Sequence, residues 1–235
     1  MRINKYLALC GVGSRRSSER LIVEGAVKIN GTLAVLSSEI NPEADTVTVS
    51  GKVVQPPKRF VYIMLHKPKG CVTTVSDDKG RKTVFDYVKT VNVRLFPIGR
   101  LDYDTEGLLL LTNDGDLANK LMHPGNQIGK TYVAKIEGEI KAAELEQLRN
   151  GIDIGDKTPT APAKASILET AANFSRLEIT VFEGRNRQIK RMFESLGKTV
   201  VFLKRTKIGE LRLGGLARGE FRYLSDKEQR YLKTL

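Results

Sequence analysis

The sequence predicts an α+β protein in two parts, a small N-terminal unit of helices and short strands followed by a larger domain with a largely antiparallel sheet. Three observations carry this. Apolar residues fall into helix-length and strand-length runs that mix without the regular alternation of a doubly wound fold. Charge divides unevenly along the chain, and the consecutive Pro56 and Pro57 interrupt all apolar periodicity. With 235 residues, 40% of them hydrophobic, the chain has enough apolar surface for one substantial core and a smaller one.

In residues 1–55, Ile3, Leu7 and Leu9 form a helical stripe that stops at Gly11 and Gly13. Ser14 offers an N-cap for a second helix that carries Leu21, Ile22 and Val23 and ends at Gly25. Val27-Lys28-Ile29 then alternates apolar and polar residues before Asn30-Gly31, a dipeptide suited to the positive φ of a tight hairpin turn. Thr46-Val47-Thr48-Val49 repeats the alternation ahead of Ser50-Gly51. Residues 56–60 read as a linker, and the second domain spans 61–235. Within it, residues 61–65 predict a buried strand, 108–111 a tetra-leucine core strand and 117–122 part of a helix. Residues 132–136 predict a strand, 141–149 a helix, 177–182 an alternating strand, and 187–196 a helix closed by Gly197.

The formal net charge is +12, which points to a polyanionic partner, because Lys and Arg that neutralise phosphates release condensed counterions. Residues 1–60 hold nine basic groups against five acidic, 61–175 fifteen against fifteen, and 176–235 fifteen against seven. That division suits a protein that grips nucleic acid with both ends of the chain around a neutral centre. Cys10 and Cys71 lack partners in metal-ligand spacing and predict neither a zinc site nor a disulfide framework. With no secretory segment and no apolar run of membrane-spanning length, the expectation is a cytoplasmic protein without a membrane partner.

Two strings carry the candidate chemistry. In Gly99-Arg100-Leu101-Asp102-Tyr103-Asp104-Thr105-Glu106-Gly107, a turn-rich loop at a strand mouth places a cation and carboxylates beside one cleft. Periodicity does not choose among Asp102, Asp104 and Glu106. In Glu183-Gly184-Arg185-Asn186-Arg187-Gln188-Ile189-Lys190-Arg191, basic residues crowd a helix start, against the macrodipole, an inconsistency that a bound anion relieves. Arg185 is placed to pair with a carboxylate of the first string, leaving Arg187, Lys190 and Arg191 for phosphates.

The N-terminal unit resembles the RNA-binding domain named after small-subunit ribosomal protein four, through Ser14-Arg15-Arg16, Leu21-Ile22 and Gly25-Ala26-Val27-Lys28-Ile29-Asn30-Gly31. That resemblance implies RNA contacts from Arg15 and Arg16, with Arg2, Lys5 and Lys28 close by in the same unit. The whole chain resembles the RsuA family of ribosomal-RNA pseudouridine synthases. The motifs, in the family's order, are His66-Lys67-Pro68-Lys69-Gly70, Gly99-Arg100-Leu101-Asp102, Gly107-Leu108-Leu109, Asn113-Asp114-Gly115, Lys130-Thr131-Tyr132 and Glu183-Gly184-Arg185-Asn186-Arg187-Gln188-Ile189.

The family resemblance implies an essential carboxylate at Asp102, Tyr132 against the target uracil, and an ion pair between Arg185 and Asp102. It implies that Arg100 holds the flipped nucleotide or fills its place, and that Lys67, Asn186 and Gln188 contact substrate. Asn186 departs from the family pattern, which often has His there, although it keeps a donor and an acceptor. The isomerisation formally needs no metal, redox partner or nucleotide cofactor. The segment 75–86 looks more like members acting on large-subunit RNA, and a single-chain family favours a monomer working on ribosomal RNA or a pre-ribosomal particle. A non-catalytic ribosome-assembly factor would explain the charge equally well, but gives no reason for a carboxylate between arginine-rich strings. A DNA-binding regulator lacks a helix-turn-helix signature.

Overall fold

The computed structural model describes residues 1–235 apart from the side chain of Pro124. It divides into two compact units: residues 1–61 with the short segments 92–95 and 113–115, and the remainder of 62–235.

The first unit begins with α1 (Ile3–Leu9) and α2 (Arg15–Val23). Ser14 caps α2 by accepting the Ser17 N–H at 3.1 Å. A four-stranded antiparallel sheet follows, in the order β2 (Thr32–Leu33), β1 (Val27–Ile29), β3 (Val47–Val49), β4 (Lys52–Val53). Asn30 and Gly31 have φ of 49° and 84° and turn β1 into β2, as the dipeptide predicts. The Asn30 side chain also accepts the Thr46 N–H and donates to Asp45, fixing the return into β3. The small core is Ile3, Tyr6, Leu7, Ile22, Val27, Ala34, Ile40 and Val47. The buried stripe of α1 is therefore Ile3, Tyr6 and Leu7, and Leu9 is only half-buried. Spacing of three and four puts residues 3, 6 and 7 on one face, whereas Leu9 lies about 200° around the helix from Leu7. For the same reason Val23, expected in the α2 stripe, is 73% exposed while Ile22 is buried.

The second unit is built on β5 (Tyr62–Lys67), β6 (Phe96–Ile98), β7 (Glu106–Thr112), β8 (Lys130–Glu137), β9 (Lys164–Ala171), β10 (Phe174–Val181), β11 (Val200–Ile208), β12 (Leu211–Arg212) and β13 (Phe221–Tyr223). The main order is β13-β5-β7-β11-β8-β10-β9, with β12 on β11 and β6 on β7. Every pairing is antiparallel except β7 with β11. Helices α3 (Gly115–Met122) and α6 (Asp226–Thr234) share a core with β5 and β7 through Met64, Leu108, Leu110, Leu121 and Leu232. Helices α4 (Ala142–Asn150) and α5 (Gln188–Glu194) share another with β8 and β10 through Ile136, Leu148, Leu177, Ile179 and Phe193. All seven residues of β7 are buried, so four successive leucines satisfy a strand covered on both faces. Periodicity alone does not reveal β11, because Lys204, Arg205 and Lys207 interrupt its apolar residues.

Where β7 meets β11, Gly107 lies opposite Arg205. Gly107 has φ +116°, and a Cβ there would stand 2.2 Å from the Arg205 carbonyl oxygen. Only glycine permits this approach, which joins the antiparallel halves of the sheet. Gly107→Ala is expected to cost about 2–4 kcal/mol from backbone strain plus overpacking, measured by denaturant unfolding. An unchanged midpoint and slope would contradict the close pairing.

Candidate active site

A cavity of the second unit, about 550 Å³, is bounded by the loop 98–105, by Lys130 and Tyr132 of β8, by residues 183–190, and by Leu203, Arg205 and Ile208 of β11. Sequence-predicted residues Arg100, Asp102, Tyr132, Arg185, Asn186, Arg187, Gln188 and Lys190 all line it. A second, shallower groove of about 340 Å³ shares Arg100, Leu101 and Asp102 and continues past Thr73, Asp77, Arg81 and Tyr103.

The loop carrying Asp102 is held almost entirely by its backbone. Lys67, the last residue of β5, is fully buried, and its Nζ donates to the carbonyls of Asp102 (2.9 Å), Thr105 (2.9 Å) and Pro68 (3.1 Å). Gly70 N–H donates to the Tyr103 carbonyl, and the Thr73 hydroxyl donates to the Leu101 carbonyl. Desolvation lowers the Lys67 pKa, opposed by the nearby Cys71, Asp102 and Asp104. Three carbonyl dipoles match the three ammonium donors, which is what makes a buried lysine tolerable. The expectation that Lys67 contacts substrate is therefore corrected: its donors are used and it has no exposed surface.

The expected ion pair between Arg185 and Asp102 is not formed. Arg185 donates instead to Glu183 (3.0 Å), Asp156 (3.4 Å) and the carbonyls of Thr158 (2.6 Å) and Pro159 (2.8 Å). Glu183 is two residues away, just past the end of β10, and the 156–159 segment supplies further acceptors, so local groups saturate the guanidinium. Gln188 is buried and equally committed: its Nε2 donates to Glu183 at 2.8 Å, and its Oε1 accepts the Arg185 N–H at 3.1 Å. Its expected substrate contact is corrected to a role in holding residues 183–188. Among the described residues the Asp102 carboxylate has no ion pair or hydrogen bond, although the buried Lys67 ammonium is close enough to feel its charge.

The basic helix also differs from expectation. Lys190 is buried and ion-paired with Asp104. Desolvation raises the Asp104 pKa, but the hydrogen bond and charge of Lys190 outweigh it and leave the carboxyl below its ordinary value. Arg191 pairs with Asp156 at 2.6 Å and donates to the Ile154 carbonyl. Internal carboxylates thus relieve the charge at the start of α5, and Lys190 and Arg191 are not free for phosphate. Arg187, exposed and left-handed at φ 49°, and Asn186, also exposed, remain at the rim with Arg100. Arg187 makes only a 3.5 Å contact with Glu194. In the first unit, Arg2, Arg15, Arg16 and Lys28 are exposed and Lys5 is half-buried.

Sequence reasoning missed Arg205, which enters the cavity beside Tyr132 because the two are partners in the β8–β11 ladder. No local signal marked it, because Lys204 and Lys207 stand beside it in a strand of mixed polarity. Lys67→Met, close in volume, is expected to lower stability by about 2–4 kcal/mol through the orphaned carbonyls, with faster amide exchange across 101–105. A loss under about 0.5 kcal/mol, the range of neutral surface changes, would contradict the pinning.

A family model described as RNA pseudouridylate synthase matches residues 61–195. The chain is 46% identical over 236 residues to ribosomal large subunit pseudouridine synthase B of Bacillus subtilis (strain 168), covering 100% of this chain and 96% of that protein. It is 43% identical to an uncharacterized RNA pseudouridine synthase of Aquifex aeolicus (strain VF5), covering 97% and 92%. A pseudouridylate synthase crystal structure, 33% identical, superimposes with a TM-score of 0.72 over 99% of both chains. The mixed sheet and helices described above are thus a pseudouridine synthase fold, and the chain belongs to the RsuA family of RNA pseudouridine synthases, which makes it an isomerase.

Proposed function

We propose that this chain converts a uridine of ribosomal RNA, in the large subunit, to pseudouridine with Asp102 as the essential carboxylate. The observation that carries the reading is a carboxylate on the cavity wall whose backbone is clamped while its oxygens are left unengaged among the described residues. The full-length similarity to a protein named for the large ribosomal subunit supports the choice of RNA.

A stacked uridine is out of reach of Asp102, so the nucleotide is extruded into the cavity and packs its base against Tyr132. Asp102 breaks the bond between ribose C1′ and uracil N1, by adding to C1′ or by removing the C2′ proton. The freed base turns and C5 bonds to C1′, displacing the Asp102 carboxylate on the addition route or with return of the proton to C2′ on the elimination route; the C5 proton then leaves as N1 gains one, so no electrons or groups are exchanged with a cofactor. Tyr132, on the cavity wall, assists removal of the C5 proton. Arg100, exposed and shared by both cavities, holds the flipped nucleotide or occupies its place. Asn186 and Arg187 meet the RNA at the rim. Arg185, expected as the partner of Asp102, serves here by fixing the 156–159 and 183–188 segments that form one wall.

The first unit serves as an RNA-binding domain of the ribosomal protein four type. Its support is the exposure of Arg2, Arg15, Arg16 and Lys28 and the double-helix-plus-hairpin arrangement. The enzyme works as a cytoplasmic monomer on ribosomal RNA or a pre-ribosomal particle.

Large-subunit RNA labelled with tritium at uridine C5 should release tritium to water with the purified chain. Asp102→Asn should slow release on the order of 10⁴-fold while RNA affinity stays within about twofold, since a lone carboxylate adds little to phosphate binding. A variant that keeps a tenth of the rate would remove Asp102 from the chemistry. Arg15→Ala with Arg16→Ala should weaken RNA binding and reduce the slope of log affinity against log salt by roughly 1–2, by filter binding across a salt series. An unaltered slope would take these arginines off the RNA.

A further inference from the structure

Among the described residues, Arg205 carries a buried donor that nothing in the protein satisfies. The residue is 4% exposed, and its Nε donates to the Leu108 carbonyl at 2.7 Å. Nη1 stands 3.4 Å from the Tyr132 hydroxyl, and the guanidinium carbon lies 5.9 Å from the centre of that ring. Nη2 is buried without a hydrogen-bond partner. An unmet donor on a buried cation is costly, and its persistence in a cavity wall marks a place where a ligand supplies the acceptor.

Neighbouring cations do not share this condition. Lys190 and Arg185 are engaged by Asp104 and Glu183, and Arg100 and Arg187 are exposed. Phosphates remain with the hydrated strand backbone, where the exposed arginines reach them. The part of a nucleotide that enters a cavity of this size is the extruded base. At its edge uracil presents two carbonyl oxygens, O2 and O4, each a match for a guanidinium N–H, while the Tyr132 ring offers a stacking face.

We propose that Arg205 contacts the substrate directly, its Nη2 donating to a carbonyl oxygen of the flipped uracil, and so determines which base the cavity accepts. This rests on the pseudouridine synthase reading of the cavity. The Leu108 carbonyl holds the guanidinium from β7, and the β7–β11 approach at Gly107 sets the depth at which it waits.

The test is a cycle of enzyme and substrate changes. Oligoribonucleotides around a uridine that the wild-type chain modifies are prepared with uridine, 2-thiouridine or 4-thiouridine at that position, sulfur being the poorer acceptor. Single-turnover rates are compared for wild type, Arg205→Met and Arg205→Lys, with RNA affinity and thermal melting measured alongside. The intrinsic reactivity of each thio base cancels between enzymes. For one of the two thio substrates the oxo-to-thio rate ratio of wild type should exceed that of Arg205→Met by about 10- to 100-fold. If Arg205→Met does not fold, Arg205→Lys carries the comparison, because its shorter fork-less side chain retains the charge without the Nη2 donor. Equal ratios across the folded enzymes for both thio substrates would overturn the contact. A wild-type chain that turns over no ribosomal RNA would overturn the functional reading itself, and the contact with it.

Discussion

A buried lysine ammonium satisfied by three backbone carbonyls is the interaction on which the site depends. Burying a charge is costly unless every donor is met, and Lys67 meets all three at Pro68, Asp102 and Thr105. Two of these bonds take the carbonyls at the two ends of the 102–105 turn, which ties the loop to the end of β5. From there the sheet carries the geometry outward. Lys67 lies opposite Gly107 in the β5–β7 ladder, Gly107 lies opposite Arg205, and Arg205 lies opposite Tyr132. Carboxylate loop, arginine and aromatic ring therefore share one cavity because four adjacent strands pass their register from one to the next.

Charge in this protein falls into two populations that net charge alone does not separate. Several basic groups of the last sixty residues are paired inside the fold: Lys190 with Asp104, Arg191 with Asp156, Arg185 with Glu183 and Asp156, Arg222 with Glu228. These pairs shape the cavity wall and the ends of elements. Other basic groups, among them Arg100 and Arg187, are exposed at the cavity rim, where a polyanion can reach them. A wall fixed by internal pairs and a rim of exposed cations suit an enzyme that must bind a backbone without letting phosphate into the chemistry.

Local signals were legible where a residue type has one structural use. Asn30-Gly31 gave its hairpin, Ser14 its cap, and the glycine-bounded string around Asp102 a loop at the mouth of a strand. Pairing partners were less legible because they depend on what the fold brings near. Arg185 reads as a partner for Asp102 until the 156–159 segment, distant in sequence, supplies closer acceptors. The family resemblance assigns Lys67 to substrate, whereas the buried strand predicted over 61–65 continues through it. Arg205 sits among Lys204 and Lys207 in sequence, and only the ladder between β8 and β11 shows which of the three points inward. Helix α6 did carry a signal, Ser225 followed by Glu228 in a capping box, which apolar periodicity does not detect.

Isomerisation of a uridine in large-subunit ribosomal RNA through Asp102, as proposed above, leaves a chemical trace on the RNA of living cells. The most direct measurement is carbodiimide labelling and primer extension across both ribosomal RNAs, in cells lacking the gene and in cells rescued with wild type or Asp102→Asn. One pseudouridine stop in the large-subunit RNA should disappear without the gene and return only with wild type. Ribosomal RNAs with unchanged stops, or a stop restored by Asp102→Asn, would contradict the proposal.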